Sequence, residues 1–190
     1  MSLVDKLISK ERNLYIWNDF FENYTNKTDR ILDFGCGAGW SVYLGRELGY
    51  DIKGVDIDDP PYNAQEMINL REEIGTAPFI DIYNGKSKLP YEDGSYDIIV
   101  CKASLDKFND RWNNEALRNK REDIIDELSD KRSKEFSRIL RGNKTLISAG
   151  ALNSFNKKFL ILYGVNYIRW RFEKLHEGHP EYFGKKRLRI

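Results

Sequence analysis

The chain has 190 residues, enough for one domain with a full hydrophobic core and few to spare for a second. Its 31 basic and 30 acidic side chains nearly cancel to a formal charge of +1, which excludes a nucleic-acid binder held by bulk charge but leaves a local basic patch open. Two cysteines and two histidines exclude a disulfide framework and a zinc finger of ordinary ligand spacing. No apolar run approaches a membrane span, and residues 1–12 alternate charged and apolar positions, unlike a secretory leader. The expectation is a soluble, cytoplasmic protein.

In chain order, Asn13 to Asn23 carries Leu14, Trp17, Phe20 and Phe21 at helical spacing, with Tyr24 next. Ile31 to Phe34 is a short apolar run that reads as a buried strand. Ser41 to Leu48 is the next helix, stopped near Gly49. Asp51 to Asp56 follows as a strand, Ala64 to Ile74 as a helix with Met67, Leu70 and Ile74 on one side, and Phe79 to Tyr83 and Tyr96 to Cys101 as strands. Trp112 to Leu140 is charged and helical, and its polar stretch Ser129 to Glu135 is a possible break. Thr145 to Ala149 is a fifth strand and Asn156 to Tyr163 a short helix ending at Gly164. Tyr167 to Phe172 and Lys185 to Ile190 are candidate final strands. Strands alternating with helices predict an α/β fold whose mostly parallel sheet is covered on both faces.

The segment richest in chemistry is Ile31-Leu32-Asp33-Phe34-Gly35-Cys36-Gly37-Ala38-Gly39-Trp40. A strand runs directly into Gly-x-Gly-x-Gly and then into a helix, whose N-terminus offers unpaired N–H groups and a partial positive charge. A dinucleotide site favours a glycine near position 40, where this chain has Trp, and the Gly-Lys-Ser/Thr of a triphosphate loop is absent. Asp56 closes the second strand 21 positions after Gly35, where an acid can accept from both ribose hydroxyls. Asp33 sits at the first strand's end, placed to orient the loop or to meet an ammonium group. A ligand with a ribose, no pyrophosphate and an amino-acid tail fits this set.

These residues resemble the first motif of class I S-adenosylmethionine-dependent methyltransferases of the type 11-like kind. Leu89-Pro90-Tyr91-Glu92-Asp93-Gly94-Ser95-Tyr96-Asp97 is similar to that family's Leu-Pro-Phe-x-Asp-x-Ser-Phe-Asp segment, and Phe136 to Ile147 to its helix–turn–strand ending in Pro-Gly-Gly. The three blocks keep the family's order from Ile31 to Ser148. The resemblance implies a Rossmann-like, doubly wound, mostly parallel seven-stranded sheet with helices on both faces and the last strand antiparallel. It implies one domain over residues 1–190: a helical cap at 1–28, a cofactor-binding core at 29–150, and a C-terminal helix and strands at 151–190.

It also implies S-adenosylmethionine as cofactor. Gly35, Cys36, Gly37 and Gly39 would line its methionine and ribose, Asp33 would anchor the loop or meet the amino group, Asp56 would grip the ribose diol, and Ile57 would lie against adenine. The loop after the third strand would hold the adenine amino group through Asn84, beside Gly85, with Asp81 as the fallback. Cys101 and Lys102 would face the methionine part, although a buried small hydrophobe is the stronger reading of Cys101. Where the family often has a His after the fourth strand, this chain has Lys107, so no general base is assigned; Asp106 and Asp110 read better as helix caps. The family's Pro-Gly-Gly turn is Arg141-Gly142-Asn143 here, in which Gly142 and Asn143 both tolerate left-handed angles.

Asp59-Pro60-Pro61-Tyr62 matches the motif with which DNA amino-methyltransferases hold a base, but it follows the second strand rather than the fourth, so a nucleic-acid substrate is disfavoured. His176-Glu177-Gly178-His179 lacks zinc-ligand spacing, and no metal is expected. The basic cluster Lys185 to Arg189 reads better as a protected edge strand than as a phosphate contact. Trp17 reads as core, whereas Tyr15 and Trp40 are candidates to cover cofactor or acceptor. The expected activity is methyl transfer to O or N of a small molecule or sugar-type acceptor, achieved mainly by orientation. The alternative is a non-catalytic S-adenosylmethionine-binding partner subunit.

Overall fold

The computed structural model describes residues 10–57, 64–84, 88–102, 104, 122–149 and 155–170. Helix α1 (Lys10–Tyr24) leads into β1 (Arg30–Phe34), α2 (Trp40–Glu47), β2 (Asp51–Ile57) and α3 (Gln65–Glu73). A 3-10 turn (Ala77–Phe79) opens β3 (Ile80–Tyr83), followed by β4 (Tyr96–Lys102), α4 (Glu122–Ile139), β5 (Leu140–Ala149), α5 (Lys158–Leu162) and β6 (Asn166–Arg169). The strands form one six-stranded sheet in the order β3-β2-β1-β4-β5-β6, with every neighbouring pair parallel. The chain order reverses between β1 and β4, so a crevice is expected at the C-terminal ends of β2, β1 and β4.

Both faces of the sheet are buried, as a parallel sheet requires. On one face, Leu32, Phe34, Val55, Ile99, Cys101 and Leu146 pack with Phe136 and Ile139 of α4. On the other, Ile31, Ile52, Ile98, Val100 and Ile147 pack with Trp17, Phe20 and Phe21 of α1, and with Trp40 and Val42 of α2. The two-residue strand period follows from this division. Asp33, Asp56 and Lys102 share the α1–α2 face at the C-terminal ends of three adjacent strands. Gly45 lets α1 approach α2, because a Cβ there would stand 2.6 Å from Phe21 Cζ.

The sequence expectations meet the structure unevenly. Six parallel strands stand among the described residues; β6 covers part of the expected Tyr167 to Phe172 strand and runs parallel beside β5. The antiparallel seventh strand expected near Lys185 to Ile190 lies outside the described residues, as do Asp59 to Tyr62, Gly85, Asp106, Lys107, Asp110 and the two histidines. Ser129 to Glu135 does not break its helix: α4 runs unbroken through it because Ser129, Arg132 and Ser133 line its buried side, continuing the stripe to Phe136. Strand β5 begins at Leu140, five residues before the expected start, and the intervening turn bulges out of register between Tyr96 and Ile98 of β4. The left-handed angles there fall on Gly142 and Lys144 rather than on Gly142 and Asn143.

The second and third sequence blocks meet through Arg138 on α4. Its guanidinium donates to the Tyr91 carbonyl at 2.7 Å, the Leu89 carbonyl at 3.3 Å and the Asp93 carboxylate at 2.8 Å, pinning the loop before β4. At the same end of the sheet, Arg141 grips Asp97 through two contacts of 2.6 and 2.8 Å, and this pairing holds the Asp97 carboxyl below its ordinary range.

Trp170 ties the far edge back to α1. It is 1% exposed, packs its ring 5.3 Å from Trp17 and 5.2 Å from Phe20, and donates its indole N–H to Asp19 at 2.8 Å. Trp170→Phe keeps an aromatic ring but loses that donor and part of the volume. It is expected to cost about 2 kcal/mol, read as the free energy of urea unfolding.

Candidate functional site

The loop between β1 and α2 is built from its hydrogen bonds and its three left-handed glycines. The Gly35 and Cys36 amides donate to the Val55 carbonyl at 2.8 and 3.3 Å, and the Gly39 amide donates to the Cys36 carbonyl at 3.0 Å. Gly35, Gly37 and Gly39 have φ of 77°, 57° and 84°, a region that side chains disfavour. At Gly35 the missing Cβ also makes room for the chain itself. A Cβ there would lie 2.2 Å from the Cβ of Ser104, whose hydroxyl donates to the Phe34 carbonyl. Gly39 is the N-cap of α2 and carries no side-chain cap, so the helix presents its N-terminus to the crevice.

Two carboxyls flank this loop. Asp33, at the C-terminal end of β1, is fully buried. One of its oxygens accepts the Ser41 hydroxyl, and the other, Oδ1, has no hydrogen-bond partner among the described residues. Burial pushes the Asp33 carboxyl up to about 7; the Ser41 hydroxyl and the charge of Lys102 oppose that rise, and the charge of Asp56 adds to it. Asp56 is 3% exposed. Its Oδ2 accepts the Gly37 amide at 2.6 Å, its Oδ1 accepts the Ile57 amide at 2.8 Å, and Arg71 of α3 stands 3.5 Å away. The acid at the end of β2 is thus already joined to the glycine loop.

The remaining candidates are spread more widely. Cys36 sets its sulfur against Gly54 of β2, where a Cβ would come within 2.6 Å, and burial pushes its thiol well up. Cys101 is buried on the α4 face, packed as a small hydrophobe, and its thiol is likewise raised by burial. Lys102 points to the other face, donates to Asn13 of α1 at 2.7 Å and sits 5.6 Å from the Trp17 ring centroid. Ile57 is partly buried against the α4-side core. Asn84 is exposed just past the end of β3, whereas Asp81 lies three residues earlier, paired in register with Val55, and accepts the Tyr91 hydroxyl at 2.9 Å. Trp17 and Trp40 are both buried in the α1–α2 core, and Tyr15 is among the exposed large side chains.

Three contributors escape sequence reasoning: Ser41, Ser104 and Arg71. Ser41 and Ser104 act through contacts that only the folded chain creates. Arg71 had a legible signal, because it stands one helical turn beyond Met67, and Met67 and Arg71 together form the buried side of α3.

Comparison with known proteins agrees with this architecture. Residues 32–119 match the family described as "Methyltransferase domain". The ubiquinone biosynthesis O-methyltransferase of Paraburkholderia xenovorans (strain LB400) is 28% identical over 90 residues, covering 47% of this chain and 37% of that protein. An uncharacterized methyltransferase, YcgJ, of Bacillus subtilis (strain 168) is 33% identical over 88 residues, covering 43% of this chain and 31% of that protein. The chain thus spans well under half the length of the curated relatives it matches. The crystal structure of a putative S-adenosyl-L-methionine-dependent methyltransferase from Methanococcus maripaludis superposes with a TM-score of 0.52 at 16% identity, covering 84% of this chain and 64% of that one, a likeness of fold. Residues 32–119, which hold the glycine loop and the strand-end acids Asp33 and Asp56, are thus similar to a methyltransferase domain.

Proposed function

We propose that the chain binds S-adenosylmethionine at the C-terminal ends of β2, β1 and β4 and transfers a methyl group to an oxygen or nitrogen of a small-molecule or sugar-type acceptor. The observation that carries this reading is the Asp33 carboxyl, buried beside the glycine loop with Oδ1 lacking a hydrogen-bond partner among the described residues. A buried polar oxygen in that condition calls for a donor, and an ammonium group supplies one. The uncapped start of α2 favours the carboxylate end of the same amino-acid tail. Asp56 would take the ribose diol, alongside or in place of the Gly37 amide that it now accepts. Ile57 and Asn84 would border the adenine.

When bound, the cofactor supplies an already activated methyl group on a sulfonium. What this chain adds is orientation and exclusion of water. The loop and its acids fix the ligand at two points along its length. Trp17 and Trp40 are buried on the side of the sheet that Asp33, Asp56 and Lys102 share. Asp33 holds or releases a proton at its carboxyl according to the charge beside it. No residue is assigned as a general base.

Asp33 gives this reading a pH signature. An ammonium beside a carboxyl raised to about 7 favours its ionised form, so binding below neutral pH would release a proton. Affinity for S-adenosylhomocysteine is therefore expected to rise roughly tenfold per pH unit well below pH 7 and to level off above it. Asp33→Asn should flatten that slope in calorimetric titrations between pH 5.5 and 8. In the ligand-free protein the sign is opposite. The folded state binds the extra proton between about pH 4 and 7, so the Asp33 contribution to stability falls as pH rises through that window.

Activity is tested by label transfer from S-adenosylmethionine to panels of phenols, sugars and amines. The O-methyltransferase relatives put hydroxyl acceptors first. Labelled product from one panel supports the proposal. Cofactor binding without transfer in any panel would overturn the catalytic part and leave a binding subunit.

A further inference from the structure

We infer that Arg71 is the positioning residue of this site: it holds the glycine loop and the strand-end acid in one arrangement before any ligand arrives. This rests on reading the crevice as the cofactor site. Arg71 lies on α3, outside all three sequence blocks, and is 6% exposed. Both its Nε and its Nη2 donate to the Gly37 carbonyl, the former at 2.9 Å. Nη2 also stands 3.5 Å from Asp56 Oδ2, the oxygen that accepts the Gly37 amide at 2.6 Å. The three groups close a ring in which the guanidinium takes the carbonyl of Gly37, the carboxylate takes its amide, and the two charges face each other.

The ring has consequences for both members. Gly37 has φ of 57° and both its backbone polar groups are engaged, so its peptide planes are fixed from two sides. Asp56 is buried near the acidic Asp33, and Arg71 is the cation that faces it from α3. Removing one partner of a buried ion pair is costly to the other. The backbone of Arg71 is itself anchored, since its carbonyl accepts the Thr76 amide at 2.8 Å and the Thr76 hydroxyl at 3.3 Å. Thr76 in turn packs beneath Gly39, where a Cβ would meet its hydroxyl at 3.0 Å. The C-terminal end of α3 therefore supports the loop at Gly37 and at Gly39. Lysine cannot replace the fork, because a single ammonium lacks its planar, two-pronged geometry.

Two measurements on the full chain test this, with Arg71→Met and Arg71→Lys as variants. In ligand-free protein, Gly37 amide exchange is expected to rise roughly tenfold or more in Arg71→Met and less in Arg71→Lys, while the strand amides of Ile31 and Val100 are unchanged. In calorimetry, Arg71→Met is expected to weaken S-adenosylhomocysteine binding roughly tenfold in the native background and less than about twofold in an Asp56→Asn background, since coupled partners are not additive. A Gly37 amide that exchanges as before, or that rises only in step with the strand amides, overturns the inference. So does an equal loss of affinity in both backgrounds. If the native chain takes up no S-adenosylhomocysteine, the reading of the site falls, and Gly37 exchange alone decides the part played by Arg71.

Discussion

Gly35→Ala is expected to destabilise the chain by more than about 3 kcal/mol and to abolish folding in warm solution, through left-handed strain together with overpacking. Gly35 has φ of 77°, which disfavours any Cβ, and the new Cβ would sit 2.2 Å from that of Ser104. Ser104 has little room to retreat, because its hydroxyl is held by the Phe34 carbonyl and its main chain leaves the end of β4. Moving it also surrenders that hydrogen bond, worth about 1 kcal/mol. Urea unfolding of Gly35→Ala, and of Gly35→Ala combined with Ser104→Gly, separates the two causes. The double variant should recover the packing part and keep about 1–2 kcal/mol of backbone strain. A single variant within 1 kcal/mol of the native chain would show that the loop and the residue after β4 are not in the contact described.

Asp56→Ala is expected to weaken S-adenosylhomocysteine binding by roughly a hundredfold or more, since it removes charged hydrogen bonds from a buried acceptor. The carboxylate serves twice: it is the proposed ribose acceptor, and it joins the Gly37 amide to Arg71. Its loss removes the carboxylate that faces a buried guanidinium, which also lowers stability by about 3–5 kcal/mol. Asp56→Asn keeps the shape and one acceptor oxygen, so it isolates the loss of charge and should weaken binding roughly tenfold. Equilibrium dialysis at a temperature where each variant is folded, checked by circular dichroism, measures the two losses. Native affinity in Asp56→Ala would remove Asp56 from the site.

The two predictions mark where sequence reading succeeds and where it stops. The order of strands, the loop after β1 and the acids at the ends of β1 and β2 are legible because hydrophobic period, glycine position and strand length are local signals. Even the side on which Asp33, Asp56 and Lys102 lie follows from the two-residue strand period. Ser104 beneath Gly35 is not legible, because nothing near residue 104 says which glycine it will meet. Local pattern likewise says that Ser129 to Glu135 is polar, but not that this polar side of α4 is buried.

Arg71 shows the same limit. Its helical position beside Met67 marks it as inward-facing, yet its partner is 34 residues away in the loop. The glycines, which invite explanation by ligand approach alone, are partly answered by the protein's own packing at Gly35 and Gly39. The third, Gly37, is the one whose amide and carbonyl are both taken by Asp56 and Arg71.

The central claim is that the crevice at the ends of β2, β1 and β4 is a site for S-adenosylmethionine and not for a dinucleotide. Calorimetric titration of the native chain with S-adenosylhomocysteine and, separately, with NAD tests it most directly. Saturation at one equivalent of S-adenosylhomocysteine with no heat from NAD is the predicted result. Binding of NAD, or no binding of S-adenosylhomocysteine, would contradict it.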